Sequence, residues 1–257
     1  SHATAVLLDP EYSAAQAIAH NALPKDSGLV VALESTGFTG EATARRAQII
    51  PGWSVEKAKR MGASAVKLLV YYHPDAFTAG AIEDLVKRVA DQCEKLDILL
   101  MLEPLSYSIH ETRTLTAEER EEVVVRTAER LTPLGIDLLK AESPVDANDA
   151  DASGWERAMA QVSDVSLVPW ILLSAAADYE VFLRQLGAAC NSGASGVAVG
   201  RAVWKEAIML TGEPRMEFLR TTALQRMWRL AALCDALARP YTDFYQCTVP
   251  MNWLESY

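Results

Sequence analysis

The chain is poor in the features that mark several large protein classes. No apolar run in its 257 residues approaches the roughly 18 needed to span a bilayer. No basic, apolar and small-residue succession marks a secretory leader. Four cysteines (Cys93, Cys190, Cys234 and Cys247) form no CxxC pair, so reduced thiols and a cytoplasmic location are expected. Positive charge is scarce: 24 Lys and Arg face 34 Asp and Glu, a net charge of −10. Such a balance lacks the basic footprint of a nucleic-acid binder, and neither a nucleic-acid nor a membrane partner is expected. A small anionic substrate stays open, because one Arg or a helix N-terminus can hold a phosphate against the net charge.

Histidine is also rare. His2, His20, His73 and His110 show no HxH or HExxH spacing, so neither a metal site nor a cofactor is expected. No GxSxG elbow offers a serine nucleophile. After the first apolar run the turn reads Asp9-Pro10-Glu11-Tyr12, without the glycines that a doubly wound nucleotide-binding fold places there.

What the sequence does contain is alternation. Short runs rich in Val, Ile and Leu occupy 5–8, 29–33, 66–72, 98–102, 136–139, 170–173 and 196–199, as expected for strands buried on both faces. Helical patterns lie at 79–95, 116–131, 153–162 and 179–191, and a long final one at 215–238 stops before Pro240. Thr116 with Glu119 three residues on, and Asp178, read as N-caps. Strand–helix alternation predicts right-handed βαβ units and one α/β domain over residues 1–257. The favoured architecture is a (β/α)₈ TIM barrel. Seven strands are visible, so the first strand of the eight is expected to be missing from a chain that opens Ser1-His2. Residues 239–257, with Tyr241, Phe244, Tyr245, Trp253 and Tyr257, read as an aromatic tail packed on the barrel exterior or forming a subunit contact.

Charges interrupt the apolar strands. Lys67 lies within Ala65-Val66-Lys67-Leu68-Leu69-Val70, Glu103 closes Leu99-Leu100-Met101-Leu102-Glu103, and Lys140 and Glu142 fall in Leu138-Leu139-Lys140-Ala141-Glu142. Alternation puts Leu138, Lys140 and Glu142 on one strand face. Three strands thus deliver charge to one interior, where an ion must be paired to be tolerated. A core ion-pair network is one reading. The other is that burial and a neighbouring cation leave one lysine as a neutral amine near pH 7. Such an amine attacks a ketone and forms a Schiff base, an electron sink for cleaving the adjacent C–C bond. Glu103 is placed to move protons in that sequence. Metal-assisted cleavage is the rival route and needs the ligand cluster that the histidines do not form.

The last two strands supply anion-binding elements. One runs into Ser174, and the other ends in Gly200-Arg201; loops after the seventh and eighth barrel strands often hold phosphate. Arg201 offers bidentate hydrogen bonds, or alternatively a salt bridge on the barrel rim.

In order along the chain stand Val6-Leu7-Leu8-Asp9-Pro10-Glu11-Tyr12, Ala65-Val66-Lys67-Leu68-Leu69-Val70-Tyr71-Tyr72, Leu102-Glu103, Asp137-Leu138-Leu139-Lys140-Ala141-Glu142-Ser143-Pro144, Leu173-Ser174-Ala175 and Gly200-Arg201-Ala202-Val203-Trp204. This set resembles the class I tagatose-1,6-bisphosphate aldolases and the related sulfofructose-phosphate aldolases over nearly the whole chain. The resemblance implies a TIM barrel with Lys140 as Schiff-base lysine, Lys67 as second active-site lysine and Glu103 as proton-transfer residue. It also implies anion binding by Ser174, Gly200 and Arg201; Glu142, on the Lys140 strand, joins the candidate substrate-binding residues. The implied reaction cleaves a ketose bisphosphate to dihydroxyacetone phosphate and glyceraldehyde 3-phosphate, without metal. A 6-deoxy-6-sulfofructose 1-phosphate substrate and a non-catalytic sugar-phosphate sensor are the alternatives, and assembly into a homo-oligomer is a further expectation. Two departures stand out: the family's N-terminal Asp-Gln-Arg motif has no counterpart, and Ala176 occupies a position where the family carries glycine.

Overall fold

A computed structural model describes residues 2–146, 152–175, 177–246, 249 and 251–256. The chain opens with β1 (Ala5–Leu8) and turns at Asp9, whose carboxylate accepts from the Glu11 and Tyr12 N–H groups at 2.7 and 3.2 Å. This starts a wide helical turn (Pro10–Ala14) that runs into α1 (Ala15–Ala19). There follow β2 (Gly28–Ala32), a hairpin of β3 (Thr39–Glu41) and β4 (Ala44–Arg46), α2 (Val55–Met61), β5 (Ala65–Tyr71), α3 (Ala79–Lys95), β6 (Leu99–Leu105) and α4 (Ala117–Leu131). The second half comprises β7 (Leu138–Ala141), α5 (Ala152–Val165), β8 (Trp170–Leu173), α6 (Tyr179–Asn191), β9 (Gly196–Ala198), α7 (Arg201–Trp204), α8 (Gly212–Phe218), α9 (Leu224–Leu237) and α10 (Trp253–Ser256).

Seven strands pair in parallel in the order β1-β2-β5-β6-β7-β8-β9. That order follows the sequence with no reversal, as in a (β/α) barrel; the switch point of a doubly wound sheet is absent from it. Among the described residues β1 and β9 do not pair, so the sheet stays open between them.

Strand alternation divides the apolar residues into two groups. Val31, Leu33, Val66, Leu68, Leu100, Leu102, Leu139, Trp170 and Leu172 face outward into one large core with the helices. Val30, Ala65 and Met101 form a second cluster, with Leu138 and Ile171 packed on it. This is the inner filling of the barrel: its members are the residues of opposite parity on β2, β5, β6, β7 and β8.

All seven sequence-predicted strands are present, β1 and β8 with the expected bounds and the other five with shifted ends. β6 runs on through Glu103 to Leu105, because that carboxylate finds cationic partners and the strand need not stop at the charge. β7 starts two residues late, since the Asp137 carboxylate rather than a backbone carbonyl takes the Leu100 N–H at 2.7 Å. The Thr116–Glu119 capping box forms as expected. Asp178 holds the N-cap position of α6 without a capping bond and pairs instead with Lys205. The final helix is split into α8 and α9 by a wide turn at Leu219–Ala223. The β3–β4 hairpin and α2 were not apparent from the apolar runs.

The tail crosses the N-terminal end of the barrel. Arg239 N–H donates to Ala194 O at 2.9 Å, and Tyr245 Oη donates to Asp137 O at 2.7 Å. Burial, aided by Asp137, pushes the Tyr245 phenol up to about 12. Tyr241 and Trp253 remain largely exposed; Tyr257 lies outside the described residues. Cys93, Cys190 and Cys234 are free thiols, whereas Cys247 is not among the described residues. No described helix is long and apolar enough to cross a membrane.

Phe182 on α6 is fully buried in the outer core. Phe182→Ala is expected to lower stability by about 3–5 kcal/mol, read as a lower urea midpoint at unchanged slope.

Candidate active site

The site follows from the inner layer by one step of alternation. Two residues beyond Val30, Ala65, Met101, Leu138 and Ile171 stand Ala32, Lys67, Glu103, Lys140 and Leu173. Side chains two apart on a strand share a face, so the strands that fill the barrel with apolar groups put three charged ones directly above them. The register agrees: Ala32 pairs with Lys67, and Leu69 with Glu103. The charged layer therefore rests on an apolar floor and lies toward the C-terminal ends of the strands, the functional end of such barrels.

Glu103 joins the two lysines. Its Oε1 lies 2.7 Å from Lys140 Nζ and its Oε2 3.3 Å from Lys67 Nζ. The side chains of Lys67, Glu103 and Lys140 are 8, 9 and 12% exposed, so this is an interior network. Burial draws the Lys140 ammonium below the usual lysine range. The Glu103 carboxylate opposes that shift and Lys67 adds to it. The contact with Glu103 thus tempers the lowering without reversing it. Lys140 accordingly gives up its proton more readily than a solvated lysine, and the carboxylate that would receive or return it is already in hydrogen-bond contact.

A fourth member was not anticipated. Glu34 pairs with Lys67 through Oε1 and accepts from Leu69 N–H through Oε2 at 3.0 Å. It stands two residues past Ala32 at the end of an apolar run, as Glu103 does, and that parity was the available signal. Two lysines and two carboxylates balance in charge when all are ionised. Lys67 sits between both carboxylates, whereas Lys140 touches only Glu103 among the described ion pairs.

Glu142 does not join them. β7 ends at Ala141, so strict alternation no longer governs the next side chain. The Glu142 carboxylate accepts from Ser106 N–H at 2.6 Å and lines a small cavity with Leu139, Ala141, Val124 and Thr127. Leu139 and Ala141 face the helices, so Glu142 lies behind the sheet instead of sharing the Lys140 face. Burial pushes its carboxyl up, against the hydrogen bond from Ser106.

The elements expected to bind an anion sit at the ends of β8 and β9. Ser174 is buried and its carbonyl accepts from Ala177 N–H at 2.9 Å. Ala175 adopts a positive φ of 43°, an unusual state for a residue with a Cβ. Ala176 falls outside the described residues. Gly200 precedes α7, and Arg201 is exposed with no ion pair or hydrogen bond to its side chain among the described residues. Among the described residues the rim salt bridge considered from sequence has no acidic partner. Among the described residues no three His, Cys, Asp or Glu side chains converge to hold a metal ion.

Comparison with known proteins places the chain in a family. Residues 1–206 match the model of the DeoC/LacD family aldolases, a span that takes in Lys67, Glu103, Lys140, Ser174 and Arg201. A tagatose 1,6-diphosphate aldolase 2 of Streptococcus mutans is 31% identical, covering 94% of this chain and 80% of the relative. A tagatose 1,6-diphosphate aldolase of Lactococcus lactis is also 31% identical, with the same coverage of 94% and 80%. Among solved structures, an archaeal fructose 1,6-bisphosphate aldolase superposes with a TM-score of 0.64 at 23% identity, over 91% of this chain and 79% of that one. A Schiff-base-forming fructose-1,6-bisphosphate aldolase gives 0.60 at 23% identity, over 86% and 77%. The structural neighbours share the TIM-barrel type of fold. The sequence match extends across the strands that carry the buried lysines, and on it the chain belongs to the DeoC/LacD family of aldolases.

Proposed function

We propose that the protein is a class I aldolase that cleaves a phosphorylated ketose through a Schiff base on Lys140. The observation that carries this reading is the buried layer in which Glu103 touches Lys140 at 2.7 Å and Lys67 at 3.3 Å. The neutral Lys140 amine adds its lone pair to the ketose carbonyl carbon, and Glu103 protonates the departing oxygen as water leaves. The resulting iminium accepts the electron pair of the adjacent C–C bond when that bond breaks. Glu103 takes the proton from the hydroxyl that becomes the aldehyde. Protonation of the enamine and hydrolysis then release the ketone product. Lys67, held by Glu34 and Glu103, keeps positive charge beside these steps and favours the neutral form of Lys140.

The preferred substrate is tagatose 1,6-bisphosphate, by similarity to relatives bearing that name at 31% identity. Ser174, Gly200 and Arg201 are the proposed holders of the phosphate next to the carbonyl. The guanidinium of Arg201 supports this reading, because its donors are unspent on other described side chains.

Borohydride reduction in the presence of dihydroxyacetone phosphate should leave a stable adduct on Lys140, detectable by peptide mass. Lys140→Ala should give none; an adduct of equal yield in that variant defeats the assignment. The trapping rate should climb with pH, because only the amine without its proton attacks. It should level off below the pH at which a solvated lysine would, since burial lowers the Lys140 value. Lys67→Met removes a cation that helps this lowering, so the rising limb should move to higher pH; an unmoved limb would detach Lys67 from the nucleophile. Arg201→Ala should raise KM for the phosphorylated ketose and barely alter it for an unphosphorylated analogue.

A further inference from the structure

Above the charged layer the barrel mouth carries an arginine that the mechanism does not use. The hairpin β3–β4 follows the C-terminal end of β2, and Arg45 lies on it. Its guanidinium carbon sits over three rings: 4.4 Å from the centre of Phe38, 4.7 Å from Tyr107 and 5.2 Å from Tyr71. Nε donates to Ala42 O at 3.0 Å. The two terminal nitrogens have no hydrogen bond or ion pair among the described residues, and the side chain is half-buried. The rings attract the charge without offering an oxygen or nitrogen acceptor, so the fork is held in place with its terminal nitrogens making no hydrogen bond among the described residues.

Tyr71 marks where the fork lies. It is on the same face of β5 as Lys67, four residues on, which is about 13 Å along the strand. Tyr107, two residues past the end of β6, is placed by its own contact with the same guanidinium, 4.7 Å from its ring centre. The strand order gives the direction. From β7, which carries Lys140, the phosphate elements at β8 and β9 lie on one side, and β5 with the hairpin lies on the other. A ketose bound through its carbonyl at Lys140, with its near phosphate toward Arg201, sends its remaining carbons toward Arg45. Four further carbons, an oxygen and a phosphorus extend about 7 Å from the carbonyl carbon. An oxyanion–guanidinium contact adds several ångströms more and brings the far end of the sugar to the hairpin.

We infer that Arg45, clamped by Phe38, Tyr71 and Tyr107, holds the tetrahedral oxyanion at the far end of the substrate and sets the preference for doubly anionic ketoses. Phosphate and sulfonate at that end share the required geometry. The inference rests on the Schiff-base reading above, and the experiment separates the two. Wild type, Arg45→Gln and Arg45→Lys are compared on a ketohexose 1,6-bisphosphate, the corresponding 6-sulfonate 1-phosphate and a ketohexose 1-phosphate. Borohydride trapping with dihydroxyacetone phosphate is run beside them. Arg45→Gln should lose about 10–100-fold in kcat/KM on the doubly anionic substrate, through KM, and leave the 1-phosphate and the trapping unchanged. Arg45→Lys should fall between, as a point charge without the fork. A loss confined to the bisphosphate or to the sulfonate identifies the natural far group and supports the role. An equal loss on all three substrates, or none on any, overturns it and leaves Arg45 as hairpin packing. Wild type that forms no trapped adduct overturns the Schiff-base reading itself.

Discussion

The central constraint is the cost of keeping a lysine inside a barrel. An ammonium removed from water loses its hydration, and unless a carboxylate meets it the fold cannot tolerate it. Glu103 meets two at once, so neither lysine is left alone and neither is fully compensated by that carboxylate. Glu34 resolves the imbalance on one side only, by pairing with Lys67. The asymmetry gives the two cations different characters. Lys67 is held between two negative groups; Lys140 has a single carboxylate partner among the described residues and loses proton affinity to burial. Chemical differentiation of two identical side chains thus comes from the number of carboxylates each can reach.

The apolar floor beneath makes this possible. Val30, Ala65 and Met101, with Leu138 and Ile171, fill the barrel interior below the charged layer with apolar groups. The opposite end is fastened by the tail, through Tyr245 to Asp137 and Arg239 to Ala194. Chemistry and fastening therefore occupy different ends of the same strands. A change to either can be made with little structural effect on the other.

Much of this could be read from residue order. The seven strands, their parallel direction and the Lys67, Glu103 and Lys140 positions all follow from apolar runs broken by charge, because an unexplained charge in a buried strand has few physical excuses. Glu34 escaped the reading although it obeys the same rule, since a charge just past a run resembles an ordinary strand end. Glu142 is the converse case: it shares the parity of Lys140, but β7 ends at Ala141 and its carboxylate takes the Ser106 N–H. The hairpin bearing Arg45 had no apolar alternation to reveal it; its three-residue strands are exposed or half-buried. Strand ends and insertions depend on local hydrogen bonds, which sequence periodicity does not encode.

The two-residue period that stacks Lys67 over Ala65 and Lys140 over Leu138 has an evolutionary corollary. Moving a functional group along such a strand by one position turns it into the helix-facing core and brings a leucine inward in exchange. Intermediate placements do not exist. Diversification of such a centre is thereby channelled away from its strands and into the connecting segments at the rim, where an arginine can be added, lengthened or lost without disturbing which way any buried side chain points.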